Sequence, residues 1–568
     1  MPVAKRWIIS PPLTEAAQAA LADYPPLIAQ LLFNRGYATA DAARAFLAGE
    51  LAQTDDPLRM LGLPETVDRL RRAIEKQERV IIYGDYDSDG VTATALLVQV
   101  LTALGARVTA YIPHREDEGY GLNHEALKTL KEQGADLVVT VDCGIRSVAE
   151  AETARAINLD LIITDHHTPG DELPRALAVV NPKQPGDEYP EKHLAGVGLA
   201  YKIAQALVRP MQPKPPINGS DVLDLVALGT VADLAPLAGE NRVLVRHGLR
   251  VMNKPIERLQ REGLKSLMTV AKVKSGAVDA GTIGFALGPR LNAAGRLESA
   301  LAAYRLLTTG DMFEANQMAL QLEAQNRERQ ALTRETQARA REIALASESD
   351  APLLFAADPE FRPGVVGLAA ARLTEEFYRP AVVARRDPDF TKGSARSIRE
   401  FHITQAFDQC KQLLIKHGGH AAAAGFTTDT KNTDELADRL REIAARELSG
   451  QDLRPAVRVD AVAPFAELTG ELASALRQFE PCGYGNPTPL LATRGARVTS
   501  VRPVGGEGQH LKLVLTDGRV TLDAIAFNQG EWRDRLPPQV DVAYTLEINE
   551  WNGEKRLQLN VKDIRAAV

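Results

Sequence analysis

The chain has few cysteines, no excess of positive charge and no long apolar run. Its three cysteines, at positions 143, 410 and 482 of 568 residues, are far apart, which excludes a disulfide framework and fits a reducing compartment. The net charge of −7 argues against a non-specific nucleic-acid binder, although a local basic groove stays possible. The N-terminus MPVAKRWIISPPLTE lacks an export signal, and no segment could span a bilayer. We expect a cytoplasmic, monomeric protein without a membrane segment.

The remaining composition is that of an ordinary globular protein, with 45% hydrophobic and 25% charged residues and no internal repeat. At about 150 residues per domain, the length predicts three or four domains. Shifts of pattern predict a helical N-terminal region, a large α/β domain, a long connecting helix free of Gly and Pro, a smaller α/β domain and a C-terminal β-barrel. Their predicted limits are 1–55, 56–310, 311–346, 347–455 and 456–568.

The large α/β domain alternates short β-type runs with helical segments. The runs are VIIYG, RVTAYIP, DLVVTVD, LDLIITD and ALAVVNP. Such alternation is typical of a parallel sheet covered by helices. In the last hundred residues, alternating strands broken by frequent turn signals predict the small β-barrel.

Three aspartates come directly after the first of these runs, in the sequence GDYDSDG. Asp85, Asp87 and Asp89 stand at alternate positions of one short turn. Like charges at this spacing raise one another's pKa and destabilise the fold unless a cation lies among them. The turn therefore points to a divalent metal ion.

Further candidate ligands lie at the ends of other apolar runs. Asp142 is the last residue of DLVVTVD, and Asp233 lies in LGTVADLAPL. The sequence DHH at 165–167 begins with the last residue of LDLIITD. Because the carboxyl ends of neighbouring parallel strands meet at one crevice, these side chains are expected to converge. Carboxylates with one or two imidazoles suit Mn²⁺ or Mg²⁺, and several carboxylates suffice for two ions.

Each of these residues also has an ordinary structural interpretation. A single Asp at a strand end is usually a helix cap or turn former, and a His-His pair alone is more often structural. Cys143 fits a small buried residue better than a metal ligand. The three alternating aspartates, the isolated Asp142 and the sequence DHH occur in this order after β-type runs. Their joint occurrence favours a metal site.

GDYDSDG, VDCG, TDHH and GTVAD resemble, in order, motifs I to IV of the DHH phosphoesterase superfamily. Within it the chain is similar to the RecJ family of bacterial single-strand-specific exonucleases. The similarity extends almost from end to end through the motifs IPHREDEGYGLN, LAGVGLAYK, GPRLNAAGRLES, NRERQ, GSARS, GGHAAAAGF and GYGNPTP. It implies a parallel-sheet DHH domain, a smaller α/β DHHA1 domain and a C-terminal OB-fold.

The resemblance also implies roles for individual residues. Asp87 and Asp89 each favour one of two metal ions, and Asp142 bridges them. Asp85, His166 and Asp233 complete the metal shells, His167 faces the scissile phosphate, and Asp165 orients a histidine. The predicted catalytic residues are therefore Asp87, Asp89, Asp142, His166 and His167.

The chain departs from its relatives at two places. Related pyrophosphatases have His where this chain has Tyr83, so the first ion is expected to be the less tightly held. Phe361 and Arg362 stand where the family often has Trp-His, and no role is assigned to that pair.

Arginines among small residues are the main candidates for contacts to phosphate, since a guanidinium binds phosphate oxygens bidentately. The alternative is that they are solvated arginines of a helix surface. The glycines and His420 of GGHAAAAGF, near a predicted helix start, suit an anion or a close helix contact equally well. With the resemblance, the predicted substrate-binding residues are Arg115, Arg290, Asn292, Arg296, Ser394, Arg396, Gly418, Gly419 and His420.

The C-terminal barrel supplies further candidates for strand binding. Phe527 and Trp551 are the aromatic candidates for base stacking, although an aromatic residue of a small barrel belongs more often to the core. The candidate phosphate contacts are Lys512, Arg519, Lys555 and Arg556.

The resemblance implies a 5′→3′ exonuclease on single-stranded DNA that releases 5′-mononucleotides by two-metal hydrolysis. It places Arg115, Ser394 and Arg396 in a pocket for the 5′ phosphate. It implies work in recombination and repair beside a single-strand-binding protein and a RecQ-type helicase. The alternatives are a DHH-type oligoribonuclease or cyclic-dinucleotide phosphodiesterase, and a strand-holding scaffold without catalysis.

Overall fold

The computed structural model describes residues 5–51, 55–114, 118–119, 121–211, 215–297, 299–347, 350–551 and 554–567. The chain forms two compact units. One is Ala324–Val457 with the N-terminal residues up to Trp7, and the other is Ile8–Glu323 with Arg458–Val568. Among the described residues, no helix is long and apolar enough to cross a membrane.

The N-terminal region is mainly helical. Its elements are β1 (Arg6–Ile9), α1 (Glu15–Ala20), α2 (Pro26–Asn34) and α3 (Ala40–Ala48). Helix α3 begins where the Thr39 hydroxyl accepts a hydrogen bond from the Ala42 N–H, and it ends at Gly49, whose φ of 53° is a left-handed value. Strand β1 was not expected; it pairs with a strand at Ala456–Val459.

A five-stranded parallel sheet forms the centre of the large unit, as predicted. Its strands and the helices between them are α4 (Leu63–Lys76), β2 (Arg79–Gly84), α5 (Ser88–Ala103), β3 (Arg107–Tyr111), α6 (His124–Glu132), β4 (Leu137–Val141), α7 (Val148–Ala156), β5 (Asp160–Thr164) and β6 (Ala178–Val180). The strand order is β3-β2-β4-β5-β6, and every pairing is parallel. The connection reverses direction between β2 and β4, which is where ligands bind in open α/β sheets.

A set of helices comes after the sheet in sequence, and all but the last of them lie entirely in the large unit. They are α8 (Gly196–Val208), α9 (Leu223–Ala232), α10 (Gly239–Met252), α11 (Glu262–Val270), α12 (Ala280–Thr282), a π-helical turn at Ile283–Leu287, α13 (Gly288–Leu297), α14 (Leu301–Thr308) and α15 (Met312–Ser347). The long helix predicted for 311–346 is confirmed as α15, which begins in the large unit and ends in the other.

The smaller unit is the second predicted α/β domain. Its elements are β7 (Leu354–Asp358), α16 (Pro363–Phe377), β8 (Ala381–Arg386), β9 (Phe390–Arg396), α17 (Ile403–Asp408), β10 (Lys416–His420), β11 (Ala423–Asp429), α18 (Thr433–Leu448) and β12 (Ala456–Val459). Its sheet has the order β10-β11-β9-β8-β7. Only the β7–β8 pairing is parallel among the described strands of this sheet.

The C-terminal region is a closed five-stranded barrel, as predicted. Its five strands are β14 (Leu491–Val504), β15 (His510–Thr516), β16 (Thr521–Ala526), β17 (Gln539–Trp551) and β18 (Glu554–Ala566). A short sixth strand, β13 (Ala461–Val462), pairs with β14 in parallel, and helix α19 (Gly470–Leu476) lies between these two strands in sequence. Pairing of β14 with β17 closes the barrel. Its core also contains Leu21, Leu31 and Phe46 of the N-terminal region, so the two ends of the chain share one core. The predicted domain limits stay predictions.

Candidate active site

The three aspartates of the turn after β2 have different surroundings. Asp85 is buried directly after the strand. Asp87 is the N-cap of α5, and its Oδ1 accepts hydrogen bonds from the N–H groups of Asp89 (2.9 Å) and Gly90 (3.1 Å). A Cβ at Gly90 would lie 2.6 Å from the backbone N and O of Asp85. The turn therefore requires glycine here to bring Asp85 and Asp87 close to one another.

Asp89 is held by the N-terminus of another helix. The N–H groups of Gly196 and Val197, in the first turn of α8, donate to its two carboxylate oxygens at 2.6 and 2.8 Å. A Cβ at Gly196 would lie 2.7 Å from Cβ of Asp142. The motif LAGVGLAYK thus brings a helix N-terminus against two predicted metal ligands, a role that sequence reasoning did not assign to it.

Asp142 lies at the centre of the site, directly after β4. Its φ is 63°, a left-handed value that Asp and Asn adopt more readily than other residues with side chains. Its Oδ1 lies 3.0 Å from Nε2 of His166 and 3.9 Å from Nδ1 of His167.

Three groups of side chains bring ligand atoms within 4.8 Å of one another. They are Asp85–Asp87–Asp142, Asp89–His166–Asp233 and Asp142–His166–His167. The structure therefore brings together all seven predicted residues, and Asp142 belongs to two of the groups. Asp233 reaches the site from the C-terminal end of α9 rather than from a strand.

The two histidines are oriented by the loop around them. Oδ1 of Asp165 accepts from Nδ1 (2.7 Å) and from the backbone N–H (3.0 Å) of His167, the contacts expected of its predicted orienting role. Asn181 donates from Nδ2 to the His167 carbonyl at 2.9 Å, and Lys183 donates from Nζ to the His166 carbonyl. Sequence reasoning missed this Asn-Pro-Lys turn, because only the fold brings it under the DHH segment.

Crowding of buried carboxyl groups raises their pKa values. Burial and the charge of Asp87 raise the pKa of Asp89 to about 7. Burial and the charges of Asp89 and Asp87 raise the pKa of Asp233 to about 8. Burial and the surrounding carboxylates raise the pKa of Asp142 well above its usual value. The site thus disfavours its own negative charge until a cation is present.

The pKa values of the two histidines shift in opposite directions. Burial lowers the pKa of His167, but the hydrogen bond to Asp165 and its charge outweigh this and raise that pKa to about 9. Burial and the neighbouring His167 lower the pKa of His166 to about 3. At neutral pH His166 is a neutral imidazole suited to a metal, and His167 is a cation suited to a phosphate oxygen.

The donor set fits divalent metal ions. It consists of hard carboxylate oxygens and imidazole, the ligands of Mn²⁺ and Mg²⁺. Nε2 of His166 is buried and makes no hydrogen bond within the described parts of the chain, as expected for a ligand atom. The Cys143 thiol is buried, and its sulfur lies 3.9 Å from the Tyr83 carbonyl, which confirms its structural interpretation.

Without metal, the protein should lose stability as the pH rises from about 4 to about 8. An unfolded Asp has a pKa of about 3.9, whereas folded Asp89 and Asp233 have values of about 7 and 8. The folded state therefore binds more protons in this window, and the free energy of unfolding falls as the pH rises. Bound Mn²⁺ should raise the melting temperature more at about pH 8 than at about pH 6. Thermal unfolding with EDTA or Mn²⁺ at both pH values tests this, and equal shifts would contradict it.

The predicted substrate contacts of GPRLNAAGRLES are partly engaged with protein. Nε of Arg290 donates to Glu323 (2.6 Å), and one terminal nitrogen donates to the Ala286 carbonyl. Oδ1 of Asn292 accepts from the N–H (2.7 Å) and hydroxyl (2.9 Å) of Ser88. Helix α13 therefore supports the turn after β2 that carries Asp87 and Asp89. The side chain of Arg296 lies outside the described residues, and phosphate binding by these three residues stays a prediction.

Ser394 and Arg396 share one face of β9, opposite α16. A Cβ at Gly367, in the second turn of α16, would lie 3.1 Å from Nη2 of Arg396 and 3.4 Å from Oγ of Ser394. Burial lowers the pKa of Arg396. Glycine on the helix thus allows α16 to pack closely against a half-buried guanidinium. Arg115, the third member of the predicted phosphate pocket, lies outside the described residues.

The predicted helix start in GGHAAAAGF is wrong. The segment is a β-hairpin, in which β10 ends at His420 and β11 begins at Ala423. A Cβ at Gly419, whose φ is 150°, would lie 2.3 Å from the Ala423 carbonyl oxygen. Gly418, Gly419 and His420 are exposed on the edge strand. The glycines allow the two strands to pair closely. The four consecutive alanines of this segment did not indicate a hairpin.

On the barrel, Phe527 is 51% exposed, and its ring meets that of His510 edge-on at 5.2 Å. Lys512 on β15 lies directly opposite Arg502 on β14, a pairing of like charges that favours an anion between them. Arg519 is exposed, whereas Lys555 and Arg556 lie beside Glu550 (3.8 Å) and Glu554 (2.6 Å). The Trp551 side chain lies outside the described residues.

Sequence reasoning missed a cavity of about 1000 Å³ in the large unit. Val231 and Leu234, which lie before and after Asp233 in sequence, are among its lining residues. Three apolar side chains on its wall are well exposed, namely Leu234 (68%), Phe285 (90%) and Tyr484 (66%). Arginines and carboxylates also line it, namely Arg246, Arg250, Arg477, Asp279, Glu480 and Glu547. Segments that are distant in sequence together line this cavity, so no single motif could have indicated it.

Three family models match the chain. The DHH family, N-terminal domain, matches residues 79–230, the DHHA1 domain matches 350–446 and the RecJ OB domain matches 459–563.

Two relatives share the name single-stranded-DNA-specific exonuclease RecJ. The protein of Bacillus subtilis is 41% identical over 95% of this chain and 68% of its own length. That of Salmonella typhimurium is 37% identical over 96% of both chains. Two crystal structures of RecJ from Thermus thermophilus, in complex with Mn²⁺ and with Mg²⁺, each cover 99% of this chain. The first, 33% identical, has a TM-score of 0.84 over 80% of its chain, and the second, 30% identical, has 0.79 over 79%.

Proposed function

The chain belongs to the RecJ family of exonucleases, and we propose that it hydrolyses single-stranded DNA from the 5′ end and releases 5′-mononucleotides. The observation that carries the proposal is the convergence of four motifs on Asp142. Acids from β2, β4 and α9 and the DHH loop share one site, as a bridging carboxylate requires.

Asp85, Asp87, Asp89, Asp142, His166 and Asp233 are the residues that would hold Mn²⁺ or Mg²⁺. Divalent ions supply Lewis-acid stabilisation of the phosphoryl oxygens and activation of water during phosphodiester hydrolysis. The N–H groups of Gly196 and Val197 hold Asp89 in place and offset part of the rise in its pKa. Asp165 keeps a proton on Nδ1 of His167, so that this imidazolium can stabilise negative charge on the scissile phosphate.

A preference for the 5′ end would come from the pocket of Ser394 and Arg396. The guanidinium has the fork geometry that binds a terminal phosphate bidentately. Gly367 lets helix α16 approach this guanidinium and the Ser394 hydroxyl closely. The resemblance implies that Arg115 also contacts the 5′ phosphate.

Bases and phosphates further along the strand would contact the large unit. Leu234, Phe285 and Tyr484 offer apolar faces in the cavity beside Asp233. On the barrel, Phe527 offers an aromatic face near Lys512. Aromatic faces beside cations bind single strands of any sequence.

Replacing Phe527 by alanine should weaken binding of a long single strand about five- to a hundredfold, because stacking contributes about 1–3 kcal/mol per base. The dissociation constant of a fluorescent oligonucleotide, measured with EDTA to prevent cleavage, gives the effect. Phe313→Ala is the matched control, since Phe313 is 70% exposed on α15. A Phe527→Ala variant that binds as the control does would remove Phe527 from the strand path. Deleting the barrel is a poorer test, because the N-terminal helices share its core.

The substrate class is tested by one comparison at fixed Mn²⁺. We expect degradation of a long single DNA strand, little degradation of the blunt duplex and slow turnover of dinucleotides. EDTA should stop the reaction and Mn²⁺ or Mg²⁺ should restore it. Preferential turnover of short oligoribonucleotides or cyclic dinucleotides would instead support the alternative DHH hydrolases, which the barrel and the N-terminal helices argue against.

The cellular setting is inferred from the family resemblance. We place the protein in the cytoplasm, which suits its three free cysteines. There it would act in recombination and repair with a single-strand-binding protein and a RecQ-type helicase, since its substrate must first be unwound and kept single-stranded.

A further inference from the structure

The loop Gly483–Gly485 of the motif GYGNPTP lies against the segment just after Asp233. The Leu237 N–H donates to the Tyr484 carbonyl at 2.6 Å. A Cβ at Gly483 would lie 2.8 Å from Cδ1 of Leu237, and one at Gly485 would lie 2.8 Å from Cβ of Pro236. Gly485 also has a φ of 77°. Larger residues at either position would push the two segments apart.

The segment contacted by the loop carries Asp233 at its other end. Asp233 is the C-cap of α9, and its Oδ2 lies 3.7 Å from Nε2 of His166. Leu234 comes next with a φ of 60°, an unfavourable value for an apolar residue. The chain therefore turns sharply just beyond the predicted ligand. Such a turn persists only if surrounding contacts stabilise it, and the loop at 483–485 provides them.

The loop is in turn fixed by buried polar contacts. Nδ2 of Asn486 donates to the carbonyls of Phe479 and Pro481, both at 2.9 Å. Nε of Arg35 donates to Oδ1 of Asn486 (3.1 Å), and Nη2 of Arg35 donates to the Pro487 carbonyl (2.7 Å). The Arg35 side chain, just after α2, is only 6% exposed. A continuous set of contacts thus leads from the N-terminal helices to Asp233.

We propose that the loop 483–487 is a positioning element for Asp233, and that Arg35 acts on metal binding through it. The inference rests on the proposed metal site and extends it to residues outside the catalytic motifs. Among the described contacts, Arg35 and Gly485 touch none of the predicted metal ligands, so they are positioning residues. Residues that orient metal ligands typically change metal affinity 10- to 100-fold when replaced, and for these more remote positions we expect about tenfold.

Two variants of the full chain test the proposal, each with a matched control. Arg35→Gln removes the guanidinium anchor, and Arg44→Gln removes an exposed arginine of α3 that pairs only with Asp41 among the described contacts. Gly485→Ala adds a methyl group against Pro236. Gly450→Ala, at a φ of 73° with nothing within 4 Å of the added Cβ, reproduces the backbone strain without that contact.

The measurement is the Mn²⁺ dissociation constant by titration calorimetry, without DNA, supported by the Mn²⁺ concentration that gives half-maximal cleavage. Arg35→Gln and Gly485→Ala should each bind Mn²⁺ about tenfold more weakly, as expected of positioning residues. Excess Mn²⁺ should restore the turnover of both variants. The controls should bind as wild type does. Unchanged Mn²⁺ affinity in folded Arg35→Gln would overturn the proposal, as would equal weakening in Arg44→Gln. If Gly485→Ala does not fold, Arg35→Gln decides. Wild-type protein that binds no Mn²⁺ would instead refute the proposed metal site itself.

Discussion

Replacing Asp142 by asparagine should reduce cleavage of a single strand at least about a hundredfold, because the bridging carboxylate proposed at this position would contribute several kcal/mol to stabilisation of the transition state. Asparagine is the sharper choice than alanine. It has nearly the same shape and tolerates the left-handed φ of 63° at this position. The change therefore removes charge and leaves the backbone in place.

The same variant has a second, independent signature. Burial and neighbouring carboxylates raise the pKa of Asp142, so its charge is unfavourable in the metal-free protein. Asp142→Asn should melt no lower than wild type in EDTA at about pH 8, where the carboxylates are most strongly ionised, and Mn²⁺ should raise its melting temperature much less. Asp171→Asn, an exposed acid of the loop after the DHH segment, is the control. A folded variant that keeps more than about a tenth of wild-type activity, a loss under ~1.4 kcal/mol, would show that Asp142 is not the bridge.

Replacing Arg396 by alanine should lower the preference for 5′-phosphorylated over 5′-hydroxyl strands about ten- to a hundredfold. A charge-assisted contact of this kind contributes about 1.5–3 kcal/mol. The guanidinium is half-buried beside Gly367 and Ser394, where water screens a phosphate contact little. Lysine should restore only part of the preference, because an ammonium cannot form the bidentate contact.

The comparison is made as the ratio of kcat/KM for the two strand ends, which cancels general losses of activity. Arg386→Ala is a suitable control, since Arg386 lies on the neighbouring strand β8 and pairs with Asp434 at 3.1 Å. If Arg396→Ala discriminates between the two ends as wild type does, the phosphate pocket lies elsewhere and GSARS has another role.

Local patterns predicted most of the fold and the strand-end ligands. The run before Asp85 and the run before Asp142 are apolar because β2 and β4 are buried on both faces. Parallel strands bring the residues at their carboxyl ends to one edge of the sheet. The absence of Gly and Pro from 311–346, a segment rich in Ala, Glu, Gln, Arg and Leu, predicted α15. These features depend on neighbours in sequence.

The parts that sequence could not reveal depend on distant contacts. Nothing in LAGVG shows that Gly196 donates to Asp89, 107 residues earlier. The Asn292 contact with Ser88 joins residues 204 apart. The shared core of Phe46 and the barrel likewise joins the two ends of the chain. In GGHAAAAGF, local helix propensity pointed the wrong way, because pairing with β9 decides the structure of β11.

The most direct test of the account monitors both ends of one strand. A long 5′-phosphorylated single strand, labelled in separate samples at its 5′ or 3′ end, is incubated with the protein and Mn²⁺, and the products are resolved over time. We expect the 5′ label to appear as mononucleotide from the first time point, while the 3′ label remains in progressively shortened long fragments. Early release of the 3′ label, or internal cuts that give oligonucleotides from both samples, would contradict it.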